Sequence, residues 1–313
     1  IATTGRPGPV LIDIPKDIQQ HYPKDSQGNY TPPPIPAVIE PPEGSIGGLT
    51  DTQLADVCRM IDEAERPVIY AGGGIVAADS AAALVQLAEA LACPLTTTVM
   101  GHGIVPPQHE LSLGCLGMHG SKVANVAVDE ADLVLALGVR FDDRVTGRVE
   151  AFIADGRIVH IDIDRDELNK NKTVTLPLCA DLAVALPQLV SRAQGKERPD
   201  WLAYLRAVEQ EFPYPLPRHA DRISPQSAIA RISELTQGRA IVSLGVGQHQ
   251  MWAMQHYRSS RPRGFLSSSG FGTMGYGGPA AIGAKVACRD AMVIDIDGDG
   301  SLNMTIHELA NCR

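Results

Sequence analysis

Residues 293–301 read Val-Ile-Asp-Ile-Asp-Gly-Asp-Gly-Ser, an apolar strand pattern that runs directly into an acidic turn broken by glycines. In open α/β sheets, ligands bind where such turns follow the carboxyl ends of parallel strands. The Asp299 carboxylate could ligate a hard divalent cation, while Gly298 and Gly300 let the backbone approach a diphosphate. Two alternatives stay open. Asp-Gly pairs are common in surface β-turns, and an EF-hand loop begins similarly, although its twelfth place would fall on Glu308 in a helical segment.

The rest of the chain alternates short apolar runs with helical stretches, which predicts α/β architecture with parallel sheets. A buried strand is predicted at Pro9–Ile14, ended by Pro15-Lys16-Asp17. Further strands and helices are predicted, in chain order, at Val68–Ala71, Ser80–Ala92, Leu95–Val99, Lys122–Glu130, Leu133–Leu137, Ile158–Ile163, Leu182–Leu189, Ala240–Leu244, Ala280–Ala287 and Met292–Ile296.

Composition divides this pattern into segments. Residues 21–48 are rich in Pro, Gly and Ser, which is typical of an extended linker, so we expect a first piece at 1–20 and a domain at 49–195. A second linker is expected at 196–222, interrupted by an amphipathic helix at Trp201–Phe212. The last domain, 223–313, is expected to open on a helix with Ser224 as N-cap and Pro225 in its first turn. The two domains have different glycine patterns, which favours two distinct nucleotide-type sites.

Charge and hydropathy exclude several classes of protein. The chain has 27 Lys and Arg against 36 Asp and Glu, a net charge of −9, and no dominant basic block, so we expect no nucleic-acid partner. No window approaches the roughly 20 apolar residues of a membrane helix, and we expect no membrane partner. The six cysteines are scattered and are expected to be reduced, in the cytoplasm or an organelle interior. Because the chain starts without Met and stops in a helical pattern, we expect a piece of a longer protein.

Glycine-rich turns mark further candidate sites. Five glycines lie between residues 270 and 278, ahead of the helix at 280–287, where backbone N–H groups could bind an anion; a flexible loop or a close helix crossing is the alternative. Met274 in this loop could equally be a core residue. Gly72-Gly73-Gly74 follows a strand but is not a G-x-G-x-x-G motif.

Charged side chains and histidines give weaker signals. Arg140 and Arg144 could bind phosphates or form ion pairs with Asp142 and Asp143. Lone histidines such as His160 are more often structural. We find no catalytic triad and no zinc spacing.

Several motifs taken together resemble the catalytic subunits of the acetolactate synthase family, among the thiamine-diphosphate-dependent enzymes. The resemblance extends over essentially the whole chain, and the stretches at 138–144 and 247–252 are its most specific parts. The motifs are Gly5-Arg6-Pro7-Gly8-Pro9-Val10, Pro15-Lys16-Asp17, Gly138-Val139-Arg140-Phe141-Asp142-Asp143-Arg144, His160-Ile161-Asp162-Ile163-Asp164, Gly247-Gln248-His249-Gln250-Met251-Trp252, Pro279-Ala280-Ala281-Ile282-Gly283 and Gly298-Asp299-Gly300-Ser301.

The resemblance implies three α/β domains: residues 1–20 would end the aminopyrimidine-binding domain, 49–195 would bind FAD, and 223–313 would be a truncated diphosphate- and magnesium-binding domain. It implies thiamine diphosphate, Mg²⁺ and FAD as cofactors, with Asp299 as a magnesium ligand. The implied contacts with thiamine diphosphate are Gln248, His249, Gly272, Thr273, Met274, Gly300 and Ser301. Met274 would bend the cofactor.

The flavin contacts implied by the resemblance are Arg6, Gly73, Thr98, Val99, Leu116, Gly117, Met118, His119, Gly138, Val139, Arg140, Phe141, Asp142, Asp162, Ile163, Asp181, Leu182, Ser269 and Gly270. The implied catalytic residues are Lys16, Arg144, Gln248 and Met274, and the residues matching the substrate channel are Lys16, Met118, Asp143 and Arg144.

The implied reaction is decarboxylation of pyruvate on thiamine diphosphate, followed by condensation with a second 2-ketoacid, pyruvate or 2-ketobutyrate, in branched-chain amino-acid biosynthesis. The family also implies a homodimer or tetramer and a regulatory small subunit. The family's catalytic glutamate and its second metal-ligating Asn have no match in residues 1–313. We therefore expect this chain alone to be inactive. Ser269 and Gly278 also depart from the usual Gly and Leu.

Two alternatives remain. A pyruvate oxidase-like or glyoxylate carboligase-like enzyme should lack the stretch at 140–144 in this form. A non-catalytic flavin-binding remnant would have kept only the central domain.

Overall fold

The computed structural model describes residues 2, 5–20, 24–30, 46–106, 108–217 and 219–312. The chain separates into two compact units, residues 1–46 and 47–313. Most of the expected first linker, residues 31–45, lies outside the described residues.

The first unit contains one short helix, α1 (Lys16–Gln19), and an isolated antiparallel bridge between Lys24 and Tyr30. The predicted buried strand at Pro9–Ile14 is wrong for this unit. The segment has no strand structure, and Leu11 and Ile12 are 91% and 78% exposed. An apolar run becomes a strand only where a neighbouring strand takes up its backbone N–H and C=O groups, and the described part of this unit offers no such neighbour.

The second unit begins with a six-stranded parallel sheet in the order β3-β2-β1-β4-β5-β6. Its strands are β1 (Pro67–Ala71), β2 (Leu95–Thr97), β3 (Ser112–Cys115), β4 (Leu133–Leu137), β5 (Arg157–Asp162) and β6 (Leu176–Cys179). The helices that accompany them are α2 (Asp51–Glu63) before β1, α3 (Gly73–Ala77), α4 (Ala81–Ala90), α5 (Lys122–Glu130) and α6 (Asp143–Thr146) between the strands, and α7 (Leu182–Arg192) after β6. This is the doubly wound order, which reverses between β1 and β4.

Alternating strand residues feed two cores, one on each face of this sheet. Ile69 and Leu135 belong to the core that α2, α4 and α7 cover, and Val68 and Val134 belong to the other. Because both faces are covered, the strands are continuous apolar runs in the sequence, and β4 was predicted with the bounds observed. The observed bounds of the helix α5 also match its prediction.

The helix α8 (Pro199–Glu211) lies in the segment expected to be a linker, but it packs into the second core through Trp201, Leu205 and Val208. Just before it, the buried Arg198 guanidinium donates hydrogen bonds to the carbonyls of Ile61, Ala64, Leu91 and Lys196. This end of the segment is therefore part of the central domain's core.

A second, three-stranded parallel sheet follows in the order β8-β7-β9: β7 (Ile241–Leu244), β8 (Phe265–Ser267) and β9 (Val293–Ile296). Its helices are α9 (Pro225–Thr236), α10 (Gln248–His256), α11 (Gly277–Ala287) and α12 (Asp299–Met304). The predicted cap of α9 is confirmed, since Ser224 Oγ accepts from Ser227 N at 3.2 Å. The predicted α/β class with parallel sheets is likewise confirmed. No helix among the described residues is long and apolar enough to span a membrane.

Candidate functional site

The carboxyl end of the three-stranded sheet brings three of the predicted segments together. The turn after β9 contacts both the turn after β7 and the glycine-rich loop that precedes α11. The Gly275 N–H donates to Ser301 Oγ at 2.9 Å, and the Thr305 hydroxyl donates to the Gly275 carbonyl at 3.0 Å. A Cβ built on Gly300 would lie 3.3 Å from Met274 Cε. Met274, Gly300 and Ser301 therefore share one site.

Met274 is 41% exposed, so its interpretation as a core residue is wrong. The loop around it is held open by backbone conformation: Gly272 and Gly275 have φ angles of +66° and +81°, a region that favours glycine. Thr273 N donates to Ser268 Oγ at 3.0 Å. The Met274 thioether is thus presented to solvent at the sheet edge by a constrained loop.

Asp299 is the first residue of α12 and is exposed, just beyond the carboxyl end of β9. The turn of residues 297–300 therefore leads into a helix and is neither a free surface β-turn nor an EF-hand loop. No group of three or more His, Cys, Asp or Glu side chains suited to a metal ion occurs among the described residues. A cation at Asp299 would need further oxygen ligands, from the backbone, a bound ligand or elsewhere.

Asp297 and His249 form a buried contact at the same edge. Asp297 Oδ1 lies 3.5 Å from His249 Nε2 and accepts the Gly298 N–H at 2.9 Å. Glycines make room for the imidazole: a Cβ on Gly247 or Gly298 would lie 2.9 Å from His249 Cε1. Gln248, beside it, is the exposed first residue of α10. The ring of His249 is therefore confined between two glycine turns.

Two carboxylates at this edge received no role from the sequence, Asp295 and Asp297. Burial, and then the nearby Asp297 charge, raise the pKa of Asp295 from 3.8 to about 6. Asp295 Oδ1 and Asp297 Oδ2 are both buried without a hydrogen-bond partner. Their spacing of two residues was the available signal: Asp295 lies in β9 and Asp297 directly follows it, and alternate residues of an extended chain point to the same face.

The Asp295 pKa gives a pH dependence with a definite sign. Because the folded carboxyl keeps its proton up to about pH 6 and the unfolded one releases it near 3.8, stability falls as pH rises through this window and levels off above it. We expect Asp295→Asn to flatten this fall, as measured by urea unfolding at several pH values between 4 and 8. The exposed Asp290→Asn is the control. An unchanged pH profile in Asp295→Asn would refute the assignment.

The carboxyl edge of the six-stranded sheet holds the second cluster of predicted residues, at the point where the strand order reverses. There the turns after β1 and β4 touch. Gly74 N donates to the Gly138 carbonyl at 3.1 Å, and a Cβ built on Gly138 would lie 2.6 Å from Gly74 Cα. A Cβ built on the neighbouring Gly73 would lie 3.2 Å from Met100 Cβ. Such close backbone approach is the geometry of dinucleotide-type crevices.

Neighbouring turns extend this crevice along the sheet edge. Thr98 N donates to the Ala71 carbonyl, and the Thr98 hydroxyl caps the 3₁₀ turn that begins at Val99. Leu116 N donates to the Thr97 carbonyl, and Met118 N donates to the Arg144 carbonyl at 2.9 Å. Met118 is 62% exposed, and His119 offers its carbonyl to Gln255 Nε2 of α10 at 3.1 Å.

The turn of residues 138–142 is conformationally strained. Phe141 has a φ of +50°, unusual for a residue with a side chain, yet its ring is buried against His160 with ring centroids 5.0 Å apart. His160 Nε2 lies 2.9 Å from the Val139 carbonyl, and burial lowers the His160 pKa, so the ring is a neutral donor. His160 is thus structural, as predicted, and supports the turn.

The charged residues of this stretch lie at its exposed rim. Arg140 pairs with Asp142 at 3.2 Å, and Asp142 Oδ1 also accepts the Arg144 N–H as the cap of α6. Of the two roles predicted for Arg140, the structure shows the ion pair with Asp142. Asp143 and the Arg144 side chain are exposed, and Arg144 forms no ion pair with any described residue.

The remaining predicted residues are more scattered. Asp162 ends β5 and accepts from Asp164 N, with Ile163 following, while Asp181 caps α7 ahead of Leu182. Ser269 follows β8 with its Oγ buried and unpartnered, and Gly270 has nothing within 4 Å of a built Cβ. Arg6 and Lys16 belong to the first unit, where Lys16 is the exposed first residue of α1.

All six cysteines are free thiols, as predicted.

The chain is similar to known enzymes over its whole length. The family profile described as "Thiamine pyrophosphate enzyme, central domain" matches residues 54–189, and that of "Thiamine pyrophosphate enzyme, C-terminal TPP binding domain" matches residues 245–313. Acetolactate synthase 3, chloroplastic, of Brassica napus is 49% identical over 321 residues, covering 100% of this chain and 48% of that protein.

Two further relatives match the chain with similar identity and coverage. Acetolactate synthase, chloroplastic, of Arabidopsis thaliana and acetolactate synthase 1, chloroplastic, of Zea mays are each 47% identical over 321 residues, with 100% of this chain covered and 47% and 49% of those proteins. The chain thus spans about half the length of these relatives. It belongs to the thiamine pyrophosphate enzymes, and the relatives that match it from end to end are acetolactate synthases.

Proposed function

We propose that this chain is part of an acetolactate synthase, containing its central domain and a portion of its thiamine-diphosphate-binding domain, and that the enzyme joins pyruvate to a second 2-ketoacid, pyruvate or 2-ketobutyrate. The observation that carries the proposal is the 47–49% identity to acetolactate synthases, in alignments that cover 100% of this chain. The aligned region therefore contains the turns that meet at both sheet edges. The relatives' names place them in the chloroplast, which supports an organelle interior for this protein.

Thiamine diphosphate fits the edge of the three-stranded sheet. The residues that would hold its diphosphate are Gly300 and Ser301, with Mg²⁺ bound through Asp299, whose exposed carboxylate is the hard oxygen ligand this ion prefers. Glycines at 298 and 300 leave the backbone accessible to phosphate oxygens. When bound, thiamine diphosphate supplies the electron sink for decarboxylation and carbon–carbon bond formation.

The chain's own residues would bind and orient this cofactor. His249 is confined by Gly247 and Gly298, and its Nε2 lies 3.5 Å from Asp297 Oδ1, so its ring would lie beside the diphosphate with little freedom to turn. Met274 projects from its constrained loop next to Gly300, where its flexible thioether would support the cofactor's rings. Gln248 begins α10 at the same edge. Positioning of this kind is the main contribution that a protein makes to cofactor chemistry.

FAD fits the crevice at the edge of the six-stranded sheet. The turns at Gly74 and Gly138 meet where the strand order reverses, which is where doubly wound sheets bind dinucleotides, and the unpartnered buried Ser269 Oγ offers a hydrogen bond from the neighbouring sheet. The flavin contacts implied by the resemblance would therefore line two adjacent edges. The resemblance implies no net redox role for the flavin, so its function here would be structural.

Arg144 would bind the substrate carboxylate. Its guanidinium is exposed and unpaired with any described residue, whereas Arg140 is already paired with Asp142. A homodimer or tetramer and a regulatory small subunit, which the resemblance implies, are further parts of the proposal.

A full-length chimera tests the proposed reaction. In it, residues 1–313 replace the matching stretch of the Arabidopsis thaliana enzyme, and the product formed from pyruvate with thiamine diphosphate, Mg²⁺ and FAD is identified. Acetolactate is the expected product. Acetaldehyde or acetate as the main product would favour a decarboxylase or oxidase and overturn the proposal.

In this chimera we expect Arg144→Ala to lower kcat/KM for pyruvate by on the order of a hundredfold, since a charge-assisted contact to the substrate is lost. Flavin content, measured by absorbance, should stay the same because the exposed side chain supports no described contact of the fold. Arg148→Ala, also exposed in the same segment, is the matched control. Loss of flavin with normal turnover would show that Arg144 contacts FAD and does not bind the substrate.

A further inference from the structure

The helix α10 (Gln248–His256) connects the two candidate cofactor sites. Its first residues, Gln248 and His249, lie at the edge of the three-stranded sheet, where thiamine diphosphate is proposed to bind. Its last turn contacts two turns of the six-stranded sheet that hold proposed flavin contacts, residues 98–102 after β2 and 116–119 after β3. A helix of nine residues is about 14 Å long and behaves as a rigid element. A restraint on one end of α10 therefore acts on the other end.

Two hydrogen bonds join the carboxyl end of α10 to these turns. Gln255 Nε2 donates to the carbonyl of His119 at 3.1 Å. His102 Nε2 lies 2.7 Å from the carbonyl of Tyr257, the residue that caps the helix. The backbone N–H of His102 donates in turn to the Val99 carbonyl at 3.1 Å. Each of the two turns thus has its own direct bond to the end of α10.

The surroundings of His102 fix its hydrogen-bond roles. Burial lowers the pKa of His102, so the imidazole is neutral, and its ring packs on Phe265 with centroids 4.4 Å apart. A neutral ring that donates from Nε2 accepts at Nδ1, and Cys115 Sγ lies 3.6 Å from that atom. Burial raises the pKa of the Cys115 thiol to about 11, which keeps the thiol a donor. Because Cys115 ends β3, directly before the turn at 116–119, His102 joins both turns to Tyr257.

The same end of α10 packs in an apolar core that both sheets share. Cys115 of β3 belongs to this core, and Val99 packs against it. Its other members belong to the three-stranded sheet and its helices: Ile229, Val242, Leu244, Ala253, Met254, Tyr257 and Phe265. Because close-packed cores have low compressibility, movement of either turn displaces α10. The residues that would meet the cofactors are less restrained, since Met118 and Gln248 are exposed.

We propose that α10 couples the two cofactor sites, so that FAD bound at the turns of residues 98–102 and 116–119 strengthens the binding of thiamine diphosphate at Gln248 and His249. Flavin contacts immobilise the turns that hold the end of α10, and thiamine diphosphate then binds to a helix that is already fixed. By linkage, thiamine diphosphate strengthens FAD binding by the same factor. This inference rests on the proposed function, to which it adds a reason for a flavin without a net redox role.

The coupling is measured by calorimetric titration of the flavin-free and the flavin-saturated chimera with thiamine diphosphate at saturating Mg²⁺. We expect FAD to lower the Kd of thiamine diphosphate by about fivefold or more, the lower end of the usual coupling between two sites. Failure of either cofactor to bind would overturn the proposed function together with this inference. Binding of both cofactors, with a thiamine diphosphate Kd that FAD does not change, would overturn this inference alone.

Gln255→Ala tests the path through α10, because it removes the bond to the His119 carbonyl. We expect the Kd of thiamine diphosphate to stay the same without FAD, and the fold change produced by FAD to fall to about twofold or less. Gln255→Lys keeps a donor and should keep the coupling. An unchanged coupling in Gln255→Ala, or equal weakening with and without FAD, would overturn the proposal; the second result would show a purely structural role.

Two further variants complete the test. His102→Phe keeps the ring against Phe265 but removes the bond to the Tyr257 carbonyl, and should also lose the coupling. If this variant does not fold, Gln255→Ala decides the matter. Gln226→Ala is the matched control, since Gln226 lies on the neighbouring helix α9 and its side chain forms no hydrogen bond with a described residue. It should leave the coupling unchanged.

Discussion

Replacing Asp299 with Ala is expected to remove the magnesium-dependent part of thiamine diphosphate binding, weakening the cofactor by on the order of a hundredfold or more at saturating Mg²⁺. The physical reason is that a first-coordination-sphere carboxylate neutralises the ion that links protein and diphosphate, and even outer-shell partners of a metal contribute 10–100-fold. The measurement is calorimetric titration of the chimera with thiamine diphosphate, with and without Mg²⁺.

The controls separate metal binding from folding. Asp299 is exposed at the start of a short helix, so its loss should leave the thermal unfolding midpoint nearly unchanged. Asp290→Ala removes an equally exposed carboxylate that precedes β9, at the opposite end of the strand, and should bind the cofactor normally. Unchanged affinity in Asp299→Ala would place the metal elsewhere, with the buried Asp297 as the next carboxylate to test.

Gly138→Ala is the second change with a large expected effect, on the central domain. Gly138 has a φ of +60°, and its added Cβ would lie 2.6 Å from Gly74 Cα, inside the contact between the turns after β1 and β4. Backbone strain of about 1 kcal/mol and overpacking of about 1–3 kcal/mol act together. We expect the free energy of unfolding to fall by about 2–4 kcal/mol and the purified protein to lose its flavin.

Gly147→Ala is the matched control for this effect. Gly147 also has a positive φ, +55° with ψ −116°, but nothing lies within 4 Å of its built Cβ. Gly147→Ala should therefore show backbone strain without a steric clash, and retain FAD. Denaturant unfolding and flavin absorbance measure both quantities. If the two variants lose equal stability and both keep their flavin, the close approach of Gly74 and Gly138 has no part in cofactor binding.

The sequence predicted elements well where local pattern and burial agree. The apolar runs of β1 and β4 and the capped helix α9 were predicted to within about a residue because each is specified by its own residues. Three edge strands were missed: β3, β6 and β8, the last only three residues long. In β6 a proline at position 177 argues against a strand, and β3 is only four residues long, includes Gly114 at φ +79° and pairs with β2 through a register shift.

The apolar segment at Pro9–Ile14 shows the converse error, since strand pattern without a described partner strand produced no strand. At the candidate sites, motif spacing identified the turns at Gly138 and Asp299, whose chemistry is local. The contact of Asp297 with His249 and the edge-to-face packing of Tyr214 against His256 could not be predicted in this way. They join residues 40 or more positions apart, and only the packing of strands and helices brings them together.

The measurement that tests the central claim most directly is the stoichiometry of the chimera's reaction: pyruvate consumed against carbon dioxide released, under saturating thiamine diphosphate, Mg²⁺ and FAD. Formation of acetolactate consumes two pyruvates for each carbon dioxide, and we predict this ratio, together with its loss in Asp299→Ala. A ratio of one, with acetaldehyde or acetate accumulating, would contradict the assignment of these residues to an acetolactate synthase.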